Sequence, residues 1–294
     1  MATIEVRGTR LEYMERGSGE PVVFVHGGLN DVRAWNRQLP AFASTYRTVA
    51  YSCRSYHPNE QSPAGATVTL DTHVDDLADV LGTLHLAPAH LIGASNGGLV
   101  CLLLARRMPE LVRTLVLADP PVLSLLGVSV PPRPTQLVRL LLHDPRTGIA
   151  VMWFGATGIG PSIRAFKRGD DRRAVEVFVT AALGRGDAAN LPADMQRQIR
   201  DNIEPFKAQL RTGFPAFDED DARRIKAPVL LVNGERGAPV LHRVTDKLER
   251  SLPRAERVSI PDTSHLMYAD DPEAFNQAVL TFLQRHSESS LTST

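Results

Sequence analysis

Apolar and polar residues alternate across residues 3–14, with a break at Gly8, and this pattern predicts an antiparallel hairpin. A turn follows at Gly17-Ser18-Gly19-Glu20-Pro21, and the alternation then stops. Pro21-Val22-Val23-Phe24-Val25 is a continuous β-branched and aromatic run, the mark of a strand covered on both faces in a parallel sheet. Further strands are expected at 46–51, 90–92, 113–118, 227–232 and, more briefly, 257–260. Between them the period lengthens to that of helices. Residues 70–84 set Val74, Leu77, Val80 and Leu81 on one face, and 272–285 does the same with Phe275, Val279 and Phe282. Helices are also expected at 98–108 and about 240–251, and a short one carries Trp35 and Leu39.

The strand–helix alternation is interrupted once. Residues 122–221 hold no buried strand, only apolar helical stretches, prolines, glycines and the charged segment Arg168-Gly169-Asp170-Asp171-Arg172-Arg173. Trp153, Phe154, Phe166 and Phe178 need burial, so this stretch reads as a helical insertion over the sheet rather than a linker. The chain then divides into a core at 1–121, a helical cap at 122–221 and the rest of the core at 222–294. Asp218-Glu219-Asp220-Asp221 reads as a solvated helix start, and the polar tail from Ser287 to Thr294 as disordered. Gly158-Ile159-Gly160 follows no strand, which argues against dinucleotide binding there.

Composition narrows the function classes. A chain of 294 residues, 43% hydrophobic, can bury a substantial core. Lys+Arg and Asp+Glu both number 33, so nothing points to nucleic acid, a membrane surface or a polyanion. Cys53 and Cys101 make neither a disulfide framework nor a metal cluster. The N-terminus lacks the basic head and apolar stretch of a signal peptide, and no uncharged apolar run is long enough to span a bilayer. A reducing, cytoplasmic setting is the expectation.

The chemistry concentrates at Gly93-Ala94-Ser95-Asn96-Gly97, where an apolar run ends and a helical pattern begins at once. This is G-x-S-x-G between strand and helix, the form of a nucleophile elbow. Small flanking residues let strand and helix approach, and the serine is left near a helix N-terminus, where free N–H groups stabilise negative charge. A Gly-rich packing turn would look the same in isolation, so its partners decide.

Those partners are the His26-Gly27-Gly28 loop and a late histidine, His265, after the last strand. In this order the whole chain resembles an α/β-hydrolase-fold serine hydrolase with a helical cap, in the esterase, lactonase and C–C bond hydrolase branch. The resemblance implies an α/β fold with a mostly parallel central sheet flanked by helices. It implies Ser95 as nucleophile and His265 as its general base. The backbone N–H groups of Gly28 and Asn96 would form the oxyanion hole, and His26 would order its loop. His242 and His286 keep a structural reading. Ser95 stands where haloalkane dehalogenases and epoxide hydrolases carry an aspartate, which argues against those chemistries.

Two departures from the family stand out. Relatives often carry Gly-Glu-x-Asp after the strand at 227–232, whereas this chain reads Gly234-Glu235-Arg236-Gly237. Asp119, which closes the strand before the insertion, is therefore favoured as the acid, with Glu235 and Asp262 in reserve. The second is Ser52-Cys53-Arg54-Ser55-Tyr56-His57-Pro58, from which Tyr56 and His57 could reach the cleft. The implied reaction is hydrolysis of a small hydrophobic ester or lactone without metal or organic cofactor. Leu29, Trp153, Phe154 and Tyr268 are its candidate substrate contacts. The alternatives are a C–C bond hydrolase of ring-cleavage products and a non-catalytic small-molecule receptor.

Overall fold

The computed structural model describes residues 1–62, 67–129, 132–184 and 188–287. The tail at 288–294 lies outside the described residues. Eight strands form one sheet: β1 Ala2–Val6, β2 Thr9–Arg16, β3 Pro21–Val25, β4 Arg47–Tyr51, β5 Ala89–Ala94, β6 Val112–Ala118, β7 Val229–Gly234 and β8 Ala255–Ile260. Their spatial order is β1-β2-β4-β3-β5-β6-β7-β8. The β1–β2 and β2–β4 pairs are antiparallel and all later pairs are parallel.

The central strands are apolar throughout because both faces are covered. On β3, Val23 and Val25 enter one core while Val22 and Phe24 enter the other. On β5, Leu91 and Ile92 divide in the same way. Around the sheet lie α1 Gln38–Phe42, α2 Leu70–Thr83 and α3 Asn96–Arg107. A Thr69–Thr72 capping box starts α2.

Between β6 and β7 the chain makes a helical excursion: α4 Pro134–His143, α5 Pro145–Phe154, α6 Gly160–Lys167, α7 Asp171–Leu183, α8 Ala193–Asp201 and α9 Ile203–Thr212. The Gly158-Ile159-Gly160 stretch lies in a π-helical turn and the start of α6. Helix α10 Glu219–Arg224 is capped by Asp218 and returns to the core, packing on α3 and on α11 Pro239–Ser251. Helices α12 Met267–Asp270 and α13 Pro272–Arg285 close the fold. Among the described residues, no helix is long and apolar enough to cross a membrane.

Candidate active site

The register of the sheet brings the site together. Ala94 of β5 pairs with Ala118 of β6, and Ala118 pairs with Val232 of β7. Ser95, Asp119 and Asn233 therefore each follow a paired residue at the same carboxyl edge, where open α/β sheets bind ligands. Two bonds continue the ladder past the strands. Ser95 N–H donates to Ala118 O at 2.8 Å, and Asp119 N–H donates to Val232 O at 3.0 Å.

Ser95 sits at φ +50° and ψ −121°, a conformation few side-chain-bearing residues adopt. The motif glycines are required sterically. A Cβ on Gly93 would stand 2.5 Å from Gly97 O, and one on Gly97 would overlap Val25 O. Helix α3 starts directly after the serine, two residues earlier than the periodicity suggested. Its first N–H groups, beginning with Asn96, lack intrahelical acceptors.

Opposite lies the turn Gly27–Asn30, closed by Asn30 N–H donating to Gly27 O at 3.2 Å. His26 braces it from behind. Its Nε2 accepts the Cys53 N–H at 2.9 Å, which leaves Nδ1 to donate to Gly27 O at 2.8 Å. Burial lowers the His26 pKa, so the ring stays neutral in this role. A Cβ on Gly28 would stand 2.6 Å from Asn96 Nδ2, so the two expected oxyanion residues are direct neighbours. Among the described residues, no backbone carbonyl accepts the Gly28 N–H.

The Asp119 carboxylate is fully buried, with Oδ2 3.2 Å from His265 Nδ1. Its Oδ1 accepts from Asn233 Nδ2, which also donates to Thr245 Oγ1 at 2.9 Å. Arg257 Nε donates to Asn233 Oδ1 at 3.1 Å. Gly237 lies beside this carboxylate: a Cβ there would be 3.3 Å from Asp119 Oδ2. The two reserve acids are both exposed and engage each other, with Asp262 N–H donating to Glu235 Oε2 at 3.0 Å. His242 holds the same loop through Gly234 O at 2.9 Å.

Ser95 and His265 open into a cavity between sheet edge and cap, walled by Leu29, Phe154, Phe178 and Phe206, with Asn30 and Tyr268 also on its surface. Trp153 is not among its walls. It stands one residue from Phe154 on α5, about 100° around the helix, and points outward with 40% exposure, so the expected contact is corrected. Tyr56 and His57 do not reach the cavity either. The Tyr56 ring packs on His26 at 4.9 Å between centroids, and His57 N–H donates to Asn202 Oδ1 at 2.8 Å. Asn202, buried between α8 and α9, also donates to Asp31 Oδ2 at 2.7 Å. Arg33 links the same Asp31 to Asp201 of the cap, both at 2.7 Å.

Asn30, Asn202 and Asn233 were missed from the sequence. The one usable signal was Asn233, a polar residue ending the apolar run of β7 beside a missing acid. Among the described residues, no group of His, Cys, Asp and Glu could hold a metal ion.

A family model described as alpha/beta hydrolase fold matches residues 20–272. The chain is 26% identical to carboxylesterase YbfK of Bacillus subtilis over 89% of this chain and 79% of that protein. The crystal structure of that esterase superposes with a TM-score of 0.70 over 96% of this chain and 90% of the other. A 2-hydroxy-6-oxononadienedioate/2-hydroxy-6-oxononatrienedioate hydrolase of Burkholderia vietnamiensis is 28% identical over 94% of this chain and 91% of its own. A thermophilic esterase from Thermogutta terrifontis has the same fold, with a TM-score of 0.76 at 21% identity, over 98% of this chain and 100% of the other.

Proposed function

The chain belongs to the α/β-hydrolase fold family, and from that premise we propose that it cleaves a small hydrophobic carboxylic ester or lactone through an acyl-enzyme. The observation that carries this reading is the contact of the buried Asp119 carboxylate with the part-buried His265, at the cavity that Ser95 also lines. His265 takes the Ser95 proton as Oγ attacks the carbonyl carbon, and the Gly28 and Asn96 N–H groups hold the oxyanion. The intermediate collapses, His265 returns the proton to the leaving alcohol oxygen, and the acyl group stays on Ser95. Water, deprotonated by His265, then attacks the acyl carbonyl and releases the acid. Asp119 fixes the His265 tautomer and stabilises the imidazolium.

The cavity walls favour an ester over a ring-cleavage product. Such products carry carboxylates, and among the described wall residues there is no Lys or Arg to pair with one. The Asp119 carboxylate beside Gly237 and against His265 supports the hydrolase reading over a non-catalytic receptor.

The test is labelling with a fluorophosphonate, followed by peptide mass spectrometry and turnover of a 4-nitrophenyl butanoate. The adduct is expected on the peptide containing Ser95, and Ser95→Ala is expected to lose both adduct and turnover. Turnover that persists in Ser95→Ala, or a wild-type protein that neither labels nor turns over, would overturn the assignment.

A further inference from the structure

The cavity has one polar corner that the reaction above does not use. Asn30 Nδ2 and Tyr268 Oη are 2.6 Å apart, and both residues line the same cavity as Ser95 and His265. Asn30 closes the turn that carries Gly28, so this corner adjoins the oxyanion hole: the Cα atoms at the two ends of such a turn lie within about 7 Å. The Tyr268 ring is locked between Trp35 and Phe275, with centroids at 4.9 and 6.2 Å, and Gln38 Nε2 donates to its carbonyl at 2.7 Å. The hydroxyl therefore cannot swing away.

The hydrogen count leaves a donor over. With Asn30 Nδ2 donating to Tyr268 Oη, the phenolic hydrogen finds no acceptor among the described residues. With the amide turned, the phenol would donate to Oδ1, and both hydrogens of the amide would be unspent. Either arrangement presents at least one N–H or O–H to an occupant. Burial raises the Tyr268 pKa, so the phenol keeps its hydrogen at neutral pH. Without a cation among the described walls, the acceptor that fits is neutral.

We infer that Asn30 and Tyr268 form a specificity-determining pair, which selects esters or lactones bearing a neutral oxygen acceptor a few bonds from the scissile carbonyl. Ether and keto oxygens belong to this class, and a purely aliphatic chain does not. A substrate lacking that oxygen leaves a buried donor unpaired, and such gaps discriminate more sharply than a missing methylene. The inference rests on the ester-hydrolase reading for its turnover readout only.

The experiment uses two near-isosteric substrates, 4-nitrophenyl 3-methoxypropanoate and 4-nitrophenyl pentanoate. The ratio of their kcat/KM values is compared across proteins, so intrinsic ester reactivity cancels. Wild type is expected to favour the methoxy ester about fivefold to tenfold more than the double variant Asn30→Leu with Tyr268→Phe, which removes both donors. Asn30→Asp, whose carboxylate takes up the phenolic hydrogen and leaves no donor for an occupant, is expected to lose the preference as well. Equal ratios in all three proteins would overturn the inference. A second measurement separates the two readings: calorimetric binding of the matching methyl esters to Ser95→Ala, with and without Asn30→Asp. Tighter binding of the methoxy ester that disappears with Asn30→Asp supports the pair even if no ester is turned over, which would sink only the hydrolase reading. Equal binding of both esters to Ser95→Ala would refute the pair.

Discussion

A side-chain carbon placed at Gly237 would stand 3.3 Å from Oδ2 of Asp119. The loops after β6 and after β7 thus meet in one volume beside His265, and a carboxylate from β6, that of Asp119, lies in it. Asp119→Asn is expected to leave the fold intact and to cut kcat on the order of 10⁴-fold, as the loss of a triad carboxylate does elsewhere. Glu235→Gln, on an exposed side chain, should stay within about twofold of wild type. Steady-state kinetics on a short ester decide it, and the reverse ranking would move the acid to the later loop.

Gly237→Asp alone sets a second carboxylate against the first. We expect a marked loss of activity, because two adjacent carboxylates repel and displace each other. Gly237 does not lie in the positive-φ region, so backbone strain is not the obstacle. The double variant Asp119→Asn with Gly237→Asp should recover at least about tenfold over Asp119→Asn, since one carboxylate then stands in the shared volume. Activities measured from pH 5 to 9 test both expectations.

Asn233→Asp probes the same carboxylate from its other side. Its amide bridges Asp119 and Thr245 while Arg257 polarises its carbonyl. A carboxylate there repels Asp119 instead of donating to it, so Asn233→Asp is expected to lower kcat on a short ester at least about tenfold. Activity within about twofold of wild type would reduce Asn233 to packing.

Phe154 and Trp153 are adjacent in sequence and opposite in setting. Phe154→Ala should lower kcat/KM for a hexanoate ester about tenfold more than for an acetate, since only the longer chain reaches that wall. Trp153→Ala should alter neither ratio appreciably, because its ring faces outward. Equal losses on both esters in Phe154→Ala would indicate a general cap defect.

Acid stability follows from buried neutral histidines. Burial lowers the pKa of His73 to about 3 and that of His90 to about 4, both from 6.5. A lowered folded-state pKa means that the unfolded chain binds more protons between these values. Each histidine's stabilisation is complete above pH 6.5 and is lost as pH falls, by about 1.4 kcal/mol per unit. Urea midpoints should drop steadily from pH 6.5 to 4.5, and His73→Leu should flatten that slope. An unchanged slope would mean that His73 is protonated in the fold.

The elements legible in the sequence were those whose constraint is local. Gly93 and Gly97 announce Ser95 because backbone crowds both positions, and the apolar strands announce themselves because both faces are covered. Asp119 could be singled out as a candidate because Gly237 stands where the resemblance implies an acid. Trp153 misled because an apolar helix that is capped by solvent on one side and by a cavity on the other carries one hydrophobic pattern for both. Asn30, Asn202 and Asn233 gave little signal because a buried asparagine is defined by partners far along the chain: Tyr268 for the first, Asp31 for the second and Asp119 for the third.

The bond from Asn202 to Asp31 joins the cap to the same short loop that carries Gly28 and Asn30. Moving the helical excursion at the α8–α9 junction would withdraw a hydrogen bond from a buried carboxylate next to the Gly27–Asn30 turn. The α8–α9 junction and that turn are thus mechanically one part. A hybrid built by grafting foreign helices onto this sheet would keep Ser95, His265 and Asp119, yet lose the brace on the Gly27–Asn30 turn unless the graft kept an asparagine at that junction.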